Sequence, residues 1–247
     1  MARTKESQAA ASGGIGETIK IIVQALLLAL VIRTLLFQPF NIPSGSMKPT
    51  LLVGDFLFVS KFSYGYSQFS IPFSPPLFDG RIFSDEPERG DVAVFKLPRD
   101  NQTDYIKRVV GLPGEEIQMI DGVLHIDGTA VAREDAGSFD DNGQQVRQFK
   151  ETLPNGVSYM TLDLVENGFA DNTPVFEVPE NHYFMMGDNR DNSTDSRVPG
   201  AVGFVPLENF VGRADVLFFS IEEGTRAWQV WRWPWSIRWG RIFDSVD

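Results

Sequence analysis

The sequence predicts a mainly β protein, a largely antiparallel β domain preceded by one N-terminal apolar helix. Three observations carry that expectation. From Leu51 onward, short apolar runs alternate with Gly, Pro, Asp and Asn: Phe56-Leu57-Phe58-Val59, Val92-Ala93-Val94-Phe95, Tyr105-Ile106 with Val109-Val110, and Val123-Leu124-His125-Ile126. Runs of that length between turn formers read as strands. Asp127-Gly128 separates two apolar runs, and because glycine accepts positive φ without steric cost, a hairpin is expected at 127–128. Finally, Ile19–Phe37 (IKIIVQALLLALVIRTLLF) is nineteen residues with few polar interruptions.

In chain order, residues 1–18 are small and polar, with Gly13, Gly14 and Gly16, and read as a flexible tail. As a helix, residues 19–37 would reach roughly 28 Å, the thickness of a bilayer's hydrocarbon core. Gln24 and Arg33 interrupt the run and weaken the reading; Arg33 lies near its end, where a long side chain can snorkel to the headgroups. A buried or interfacial helix and a removed signal peptide are the competing readings, although no Ala-x-Ala pattern follows Phe37. Arg3, Lys5 and Lys20 against Arg33 favour a cytoplasmic N-terminus, which puts the bulk of the chain outside. Residues 38–247 then form the extracytoplasmic domain.

Within that domain, residues 133–179 turn more polar, with a turn at Asp140-Asp141-Asn142-Gly143 and a strand at Val157-Ser158-Tyr159-Met160. No helix-period stripe runs through them, so they read as a surface elaboration without a site of their own. All five tryptophans, Trp228, Trp231, Trp233, Trp235 and Trp239, fall within twelve residues, accompanied by Arg226, Arg232, Arg238 and Arg241. Two readings are open for this segment. Indole and guanidinium groups favour a lipid interface, and an aromatic patch with arginines stacked on the rings can equally close a core.

The formal charge of −11 argues against a nucleic-acid surface, which needs a basic face. The absence of cysteine excludes disulfides, thiol catalysis and thiolate metal sites. Histidine is nearly absent too: only His125 and His182 exist, neither in a motif, and no G-x-S-x-G run is present. A serine nucleophile in this chain would therefore need a different base.

Ser46 lies in Pro43-Ser44-Gly45-Ser46-Met47-Lys48-Pro49-Thr50, nine residues after Phe37. Gly45 permits a tight bend, Pro43 and Pro49 stiffen the flanks, and the Ser44 hydroxyl with the Ser46 amide would supply an oxyanion hole. About sixty residues later comes Tyr105-Ile106-Lys107-Arg108. Lysine serves as a base only if its pKa falls well below about 10.4, which burial among apolar groups brings about. Tyr105, Ile106, Val109 and Val110 would supply such neighbours in part, although alternation alone does not say which face is buried, and an exposed strand lysine is the competing reading. The third element, Gly187-Asp188-Asn189-Arg190-Asp191-Asn192-Ser193-Thr194-Asp195-Ser196-Arg197, packs five ionising residues into eleven. Such a set can build a hydrogen-bonded scaffold in which Ser193 would orient a neutral amine and Asp195 pair with Arg197, while a solvated polar loop is the competing reading of the run taken alone. Its carboxylate spacing does not fit a calcium loop, and the arginines oppose a cation, so neither metal nor cofactor is expected.

Taken in order behind an N-terminal span, PSGSMKPTLLVGD, GDVAVFK, DYIKRVVGLPGE and GDNRDNSTDSR closely resemble the bacterial type I signal peptidases, also called leader peptidases. The resemblance covers most of residues 38–115 and 183–217. It implies a membrane-anchored serine endopeptidase that removes signal peptides from exported preproteins, with Ser46 as nucleophile, Lys107 as general base and Ser44 assisting the oxyanion hole. It further implies that Ser193 orients Lys107, that Asp195, Arg197, Asp188 and Arg190 form the supporting scaffold, and that Ile42, Pro43, Met47, Leu51, Tyr105 and Ile106 surround a cleft for small side chains. Members from enteric bacteria carry two spans before the serine, whereas here one candidate precedes it. The implied setting is the bacterial plasma membrane, with preproteins and lipid as partners. The rival from another class is a membrane-anchored scaffold without catalysis.

Overall fold

The computed structural model describes residues 15–225 and 228–246. Its one long helix, α1 (Ile15–Leu35), has 21 residues and none of them is buried. At 1.5 Å per residue it is about 31 Å long. It begins and ends earlier than the expected 19–37 because the chain beyond Leu36 is claimed by a sheet. Strand β1 (Phe37–Asn41) pairs antiparallel with β2 (Asp55–Ser60), placing Phe37 opposite Ser60. Of the expected tail, residues 1–14 lie outside the described residues and 15–18 open the helix.

Two further strands, β3 (Val92–Lys96) and β4 (Asp104–Gly111), pair along their length. Next come β5 (Glu116–Ile120), β6 (Val123–Ile126) and β7 (Thr129–Ala130), with the expected hairpin at Asp127 and Gly128, φ 51° and 71°. The elaboration is a second sheet of three strands, β8 (Ala132–Asp141), β9 (Gln144–Thr152) and β10 (Ser158–Asp163). Its β8–β9 turn is Asn142-Gly143, both at positive φ. After β11 (Phe176–Glu177), β12 (His182–Met186) and β13 (Val205–Pro206), the chain closes with β14 (Phe210–Ser220).

The main sheet is antiparallel, ordered β1-β2-β14-β3-β4-β12-β13. Along β2 the period-two pattern sends Leu57 and Val59 into the core and Phe56 and Phe58 outward, where Phe58 stacks on Phe218 at 4.3 Å. Leu57 and Val59 share one apolar cluster with Ile42, Met47, Leu51 and Val94, which forms the floor below the Ser46 turn. Strand β12 pairs with β4 only from Arg108 to Gly111. Among the described residues, no strand therefore covers the outer edge of Asp104–Lys107.

The tryptophan segment follows neither simple form of the core reading. Trp233 packs on Phe219 at 6.0 Å, but Trp228, Trp231, Trp235 and Trp239 are exposed. Arg238 and Arg241 do not stack on these rings; both reach the buried carboxylate of Asp55, at 3.3 and 2.6 Å, and so tie the segment to β2. Arg226 lies outside the described residues.

Candidate active site

Gly45–Met47 forms a single 3-10 turn. Met47, buried at its end, anchors the turn in the core, and Ser46 is left at the rim. Lys107 comes from the middle of β4 and is 3% exposed. Its Nζ donates to Ser46 Oγ at 2.7 Å and to the carbonyl of Ile106 at 2.8 Å. Burial pulls the Lys107 pKa down from 10.5 to about 8; Asp195 and Asp188 oppose that fall and Arg197 assists it. An amine near 8 is unprotonated in a useful fraction at neutral pH and can accept the serine proton. Ser44 Oγ lies 3.4 Å from Ser46 Oγ, on the rim of the same cleft.

The expected orienting contact from Ser193 is not formed. Its hydroxyl is buried without a well-formed hydrogen bond and lies beside Asp195, whose carboxyl it helps to hold low. The Ile106 carbonyl holds the lysine amine instead, since the flexible side chain reaches back to the peptide of its own preceding residue. Burial would push the Asp195 carboxyl up, but the Arg197 guanidinium overrides it. Arg197 donates to both carboxylate oxygens at 2.9 Å, and Gly187 N–H adds a third donor at 3.0 Å.

Asp188 receives a fork from Arg108 at 2.9 and 2.8 Å and the Thr50 hydroxyl at 2.6 Å. The arginine fork makes this pair rigid. Asn189 fastens the polar loop to the nucleophile turn, its N–H donating to Ser46 O at 3.1 Å and its side chain to Gly45 O at 2.9 Å. Gly187 has no room for a side chain: a Cβ there would stand 2.2 Å from Ser193 Oγ and 2.5 Å from Ser46 O.

The expectation that residues 133–179 carry nothing for the site is corrected by two of them. Glu151 of β9 is buried and accepts both Arg190 terminal nitrogens at 2.5 Å. Tyr159 of β10 donates to Glu151 at 3.0 Å, and its ring underlies the Arg108 guanidinium at 4.1 Å. At the ribbon's tip, Asp141 accepts from Lys48, two residues past Ser46, at 2.6 Å. No local signal marked Glu151 or Tyr159. Alternation in β9 and β10 places them on an inward face, but only tertiary structure supplies the arginines they meet.

The open cleft has a volume of about 340 Å³ and is lined by Pro43, Ser44, Ser46, Tyr105, Ile106 and Lys107, as expected, with Asp104, Asn192 and Thr194 in addition. Ile42, Met47 and Leu51 do not line it; Met47 ends the 3-10 turn, Ile42 and Leu51 flank it, and all three are buried in the apolar cluster beneath. Among the described residues, no group of His, Asp and Glu is arranged to hold a metal. His125 and His182 each bond a nearby backbone carbonyl, of Val123 and Glu180.

The signal peptidase, peptidase S26, family model matches residues 15–219. Signal peptidase I of Rickettsia typhi is 49% identical over 202 residues, covering 78% of this chain and 76% of that protein. The signal peptidase I of Rickettsia akari is 45% identical over 237 residues, with 89% and 88% covered. A crystal structure of a signal peptidase I from Enterococcus faecalis V583 matches at 28% identity and TM-score 0.32, covering 52% of this chain and 97% of that one. The chain belongs to the signal peptidase family, peptidase S26, and is a serine peptidase of the signal peptidase I type.

Proposed function

We propose that this chain is a membrane-anchored endopeptidase that cuts signal peptides from exported preproteins with a Ser46–Lys107 dyad. The observation that carries the reading is the buried amine 2.7 Å from the serine hydroxyl. Neutral Lys107 takes the Ser46 proton as Oγ attacks the scissile carbonyl. The Ser46 N–H and the Ser44 hydroxyl receive the oxyanion, and the Lys107 ammonium returns its proton to the leaving amine. Water then enters, Lys107 acts as base again, and the acyl ester is hydrolysed. Ile106 O holds the amine on this path, while Asp188, Arg190, Asp195 and Arg197 hold the loop behind it.

The free edge of Asp104–Lys107 suits an extended substrate, which would add as a strand and be held by main-chain hydrogen bonds. Pro43, Tyr105 and Ile106 then bound shallow pockets that admit small side chains. Helix α1 crosses the bilayer with its N-terminus inside, so the domain lies on the extracytoplasmic face. An aromatic row, Phe37, Phe58, Phe218, Phe56, Phe219 and Trp233, runs from the end of α1 to the exposed tryptophans and would rest against lipid.

The test is to incubate detergent-solubilised protein with a preprotein and sequence the new N-terminus. The parent chain should cut once after the signal peptide, and Lys107→Ala should not cut. Retained cleavage by Lys107→Ala overturns the dyad.

A further inference from the structure

The chain leaves the sheet after Ser60, makes a 3-10 turn at Gln68–Ser70 and then a loop, Ile71–Phe83, with the sequence IPFSPPLFDGRIF. Phe73 is fully exposed, and Leu77, Phe83 and Ile82 are largely so. Phe73, Ser74 and Phe83 adopt left-handed φ of 66°, 48° and 54°. For L-residues that costs roughly 1–2 kcal/mol each, so the backbone is strained while its aromatic rings point away from the protein.

The base of the loop is held firmly. Tyr66 and Ile82 exchange backbone hydrogen bonds at 2.9 and 2.8 Å. Arg81 donates to the carbonyls of Tyr64, Gly65, Leu207 and Phe210 at 2.7–3.0 Å. Gly65, at φ 75°, leaves no room for a Cβ, which would stand 2.2 Å from Phe83 O. This base is bonded to the end of α1: the Tyr66 hydroxyl donates to Leu35 O at 2.7 Å, and Lys61 N–H to Leu36 O at 2.9 Å.

The backbone chemistry narrows what can cover the tip. Residues 71–78 carry no charged side chain, and Pro72, Pro75 and Pro76 have no N–H to satisfy. Of the remaining donors, Ile71, Ser74 and Leu77 bond within the loop or to its base, at 3.2, 3.0 and 2.8 Å. A segment with few free donors pays little to leave water for a medium that cannot hydrogen-bond. We propose that the 71–78 tip dips into the acyl–headgroup boundary of the leaflet from which α1 emerges, forming a second anchor that fixes the tilt of the domain and the height of the Ser46 cleft. This rests on the reading of α1 as a membrane span.

The chain has no cysteine, so single labels can be placed cleanly. Phe73→Cys, Leu77→Cys and, as reference at the exposed start of β9, Gln144→Cys would each carry a nitroxide. The full chain would be reconstituted in phosphatidylethanolamine–phosphatidylglycerol vesicles. Collision with a water-soluble nickel chelate should be about fivefold lower at 73 and 77 than at 144, with oxygen collision raised. Equal nickel access at all three sites overturns the proposal. So does protection from both nickel and oxygen, which would mean that protein covers the tip. In the same vesicles, Phe73→Ser with Leu77→Ser should slow cleavage of a membrane-inserted preprotein several-fold and leave a short soluble peptide unaffected; equal loss on both overturns the tilt role. A parent chain that cuts neither substrate refutes the peptidase reading and leaves the label result to be judged by itself.

Discussion

Lys107 and Lys61 are alike in burial and in the direction of their pKa shift, and differ in what the amine meets. Both are almost fully buried, at 3% and 1% exposure, and in both burial is the first cause of a pKa lowered from 10.5 to about 8. Lys107 Nζ meets a hydroxyl, Ser46 Oγ, at 2.7 Å, whereas Lys61 Nζ meets a carbonyl, Ser70 O, at 2.5 Å. A carbonyl has no proton to give up. A weakened amine is therefore necessary for base catalysis and far from sufficient, and the partner atom decides between chemistry and structure.

The sharpest way to break this comparison is to remove each amine in turn. Lys107→Met and Ser46→Ala should each lower kcat/KM for a preprotein by at least ~10³-fold with the circular dichroism spectrum unchanged. Lys61→Met should stay within a few-fold of the parent. A comparable loss from Lys61→Met would mean that the two lysines are not distinguished by their partners.

Next in size is the scaffold that Lys107 has and Lys61 lacks. Glu151→Gln leaves the buried Arg190 without its counter-charge and should destabilise the domain by about 3–5 kcal/mol in urea unfolding. A cost below 1 kcal/mol would show that Arg190 finds another carboxylate. Tyr159→Phe, which keeps the ring under Arg108 and deletes one hydroxyl bond, should cost about 1 kcal/mol.

Protonation supplies the third test. Below about pH 8 Lys107 takes up its proton, so kcat/KM should fall with an acid limb near 8, approaching tenfold per pH unit. The limb should be the same in Lys61→Met. A rate that is flat from pH 9 to pH 6 counts against a lysine base.

The smallest effect concerns stability. Between about 8 and 10.5 the unfolded Lys61 still holds a proton that the folded one has lost, so stability rises with pH across that window. Burial is penalised in full below it. Lys61→Met, which removes the penalty and one hydrogen bond to Ser70 O, should therefore be about 1 kcal/mol more stable than the parent at pH 7. The advantage should shrink as pH approaches 10.5. A constant difference across the range would place the cause in packing.

Much of this was legible along the chain. The strands at Phe56–Val59 and Val92–Phe95 and the Asp127-Gly128 turn follow from alternation and turn chemistry, which are local. Ser46 and Lys107 are weak signals as lone residues and are singled out by the ordered motifs of the family resemblance, whereas the pairing of Asp195 with Arg197 is local, spanning only two positions. What failed was non-local. Glu151 lies 39 positions from Arg190 and meets it only because β9 folds back beneath the polar loop. Ser193 has the chemical type to orient an amine, yet the lysine bonds the carbonyl of its own preceding residue instead. Met47 and Leu51 were near enough to the serine to suggest pocket walls, yet both are buried in the apolar cluster beneath.

That carbonyl has an evolutionary consequence. Ile106 O belongs to the main chain, so replacing the side chain at 106 alters the pocket and leaves the grip on the lysine untouched. With Lys107 as the proposed base and Ile106 in the proposed pocket, substrate preference at this position can drift by mutation without disarming the catalyst.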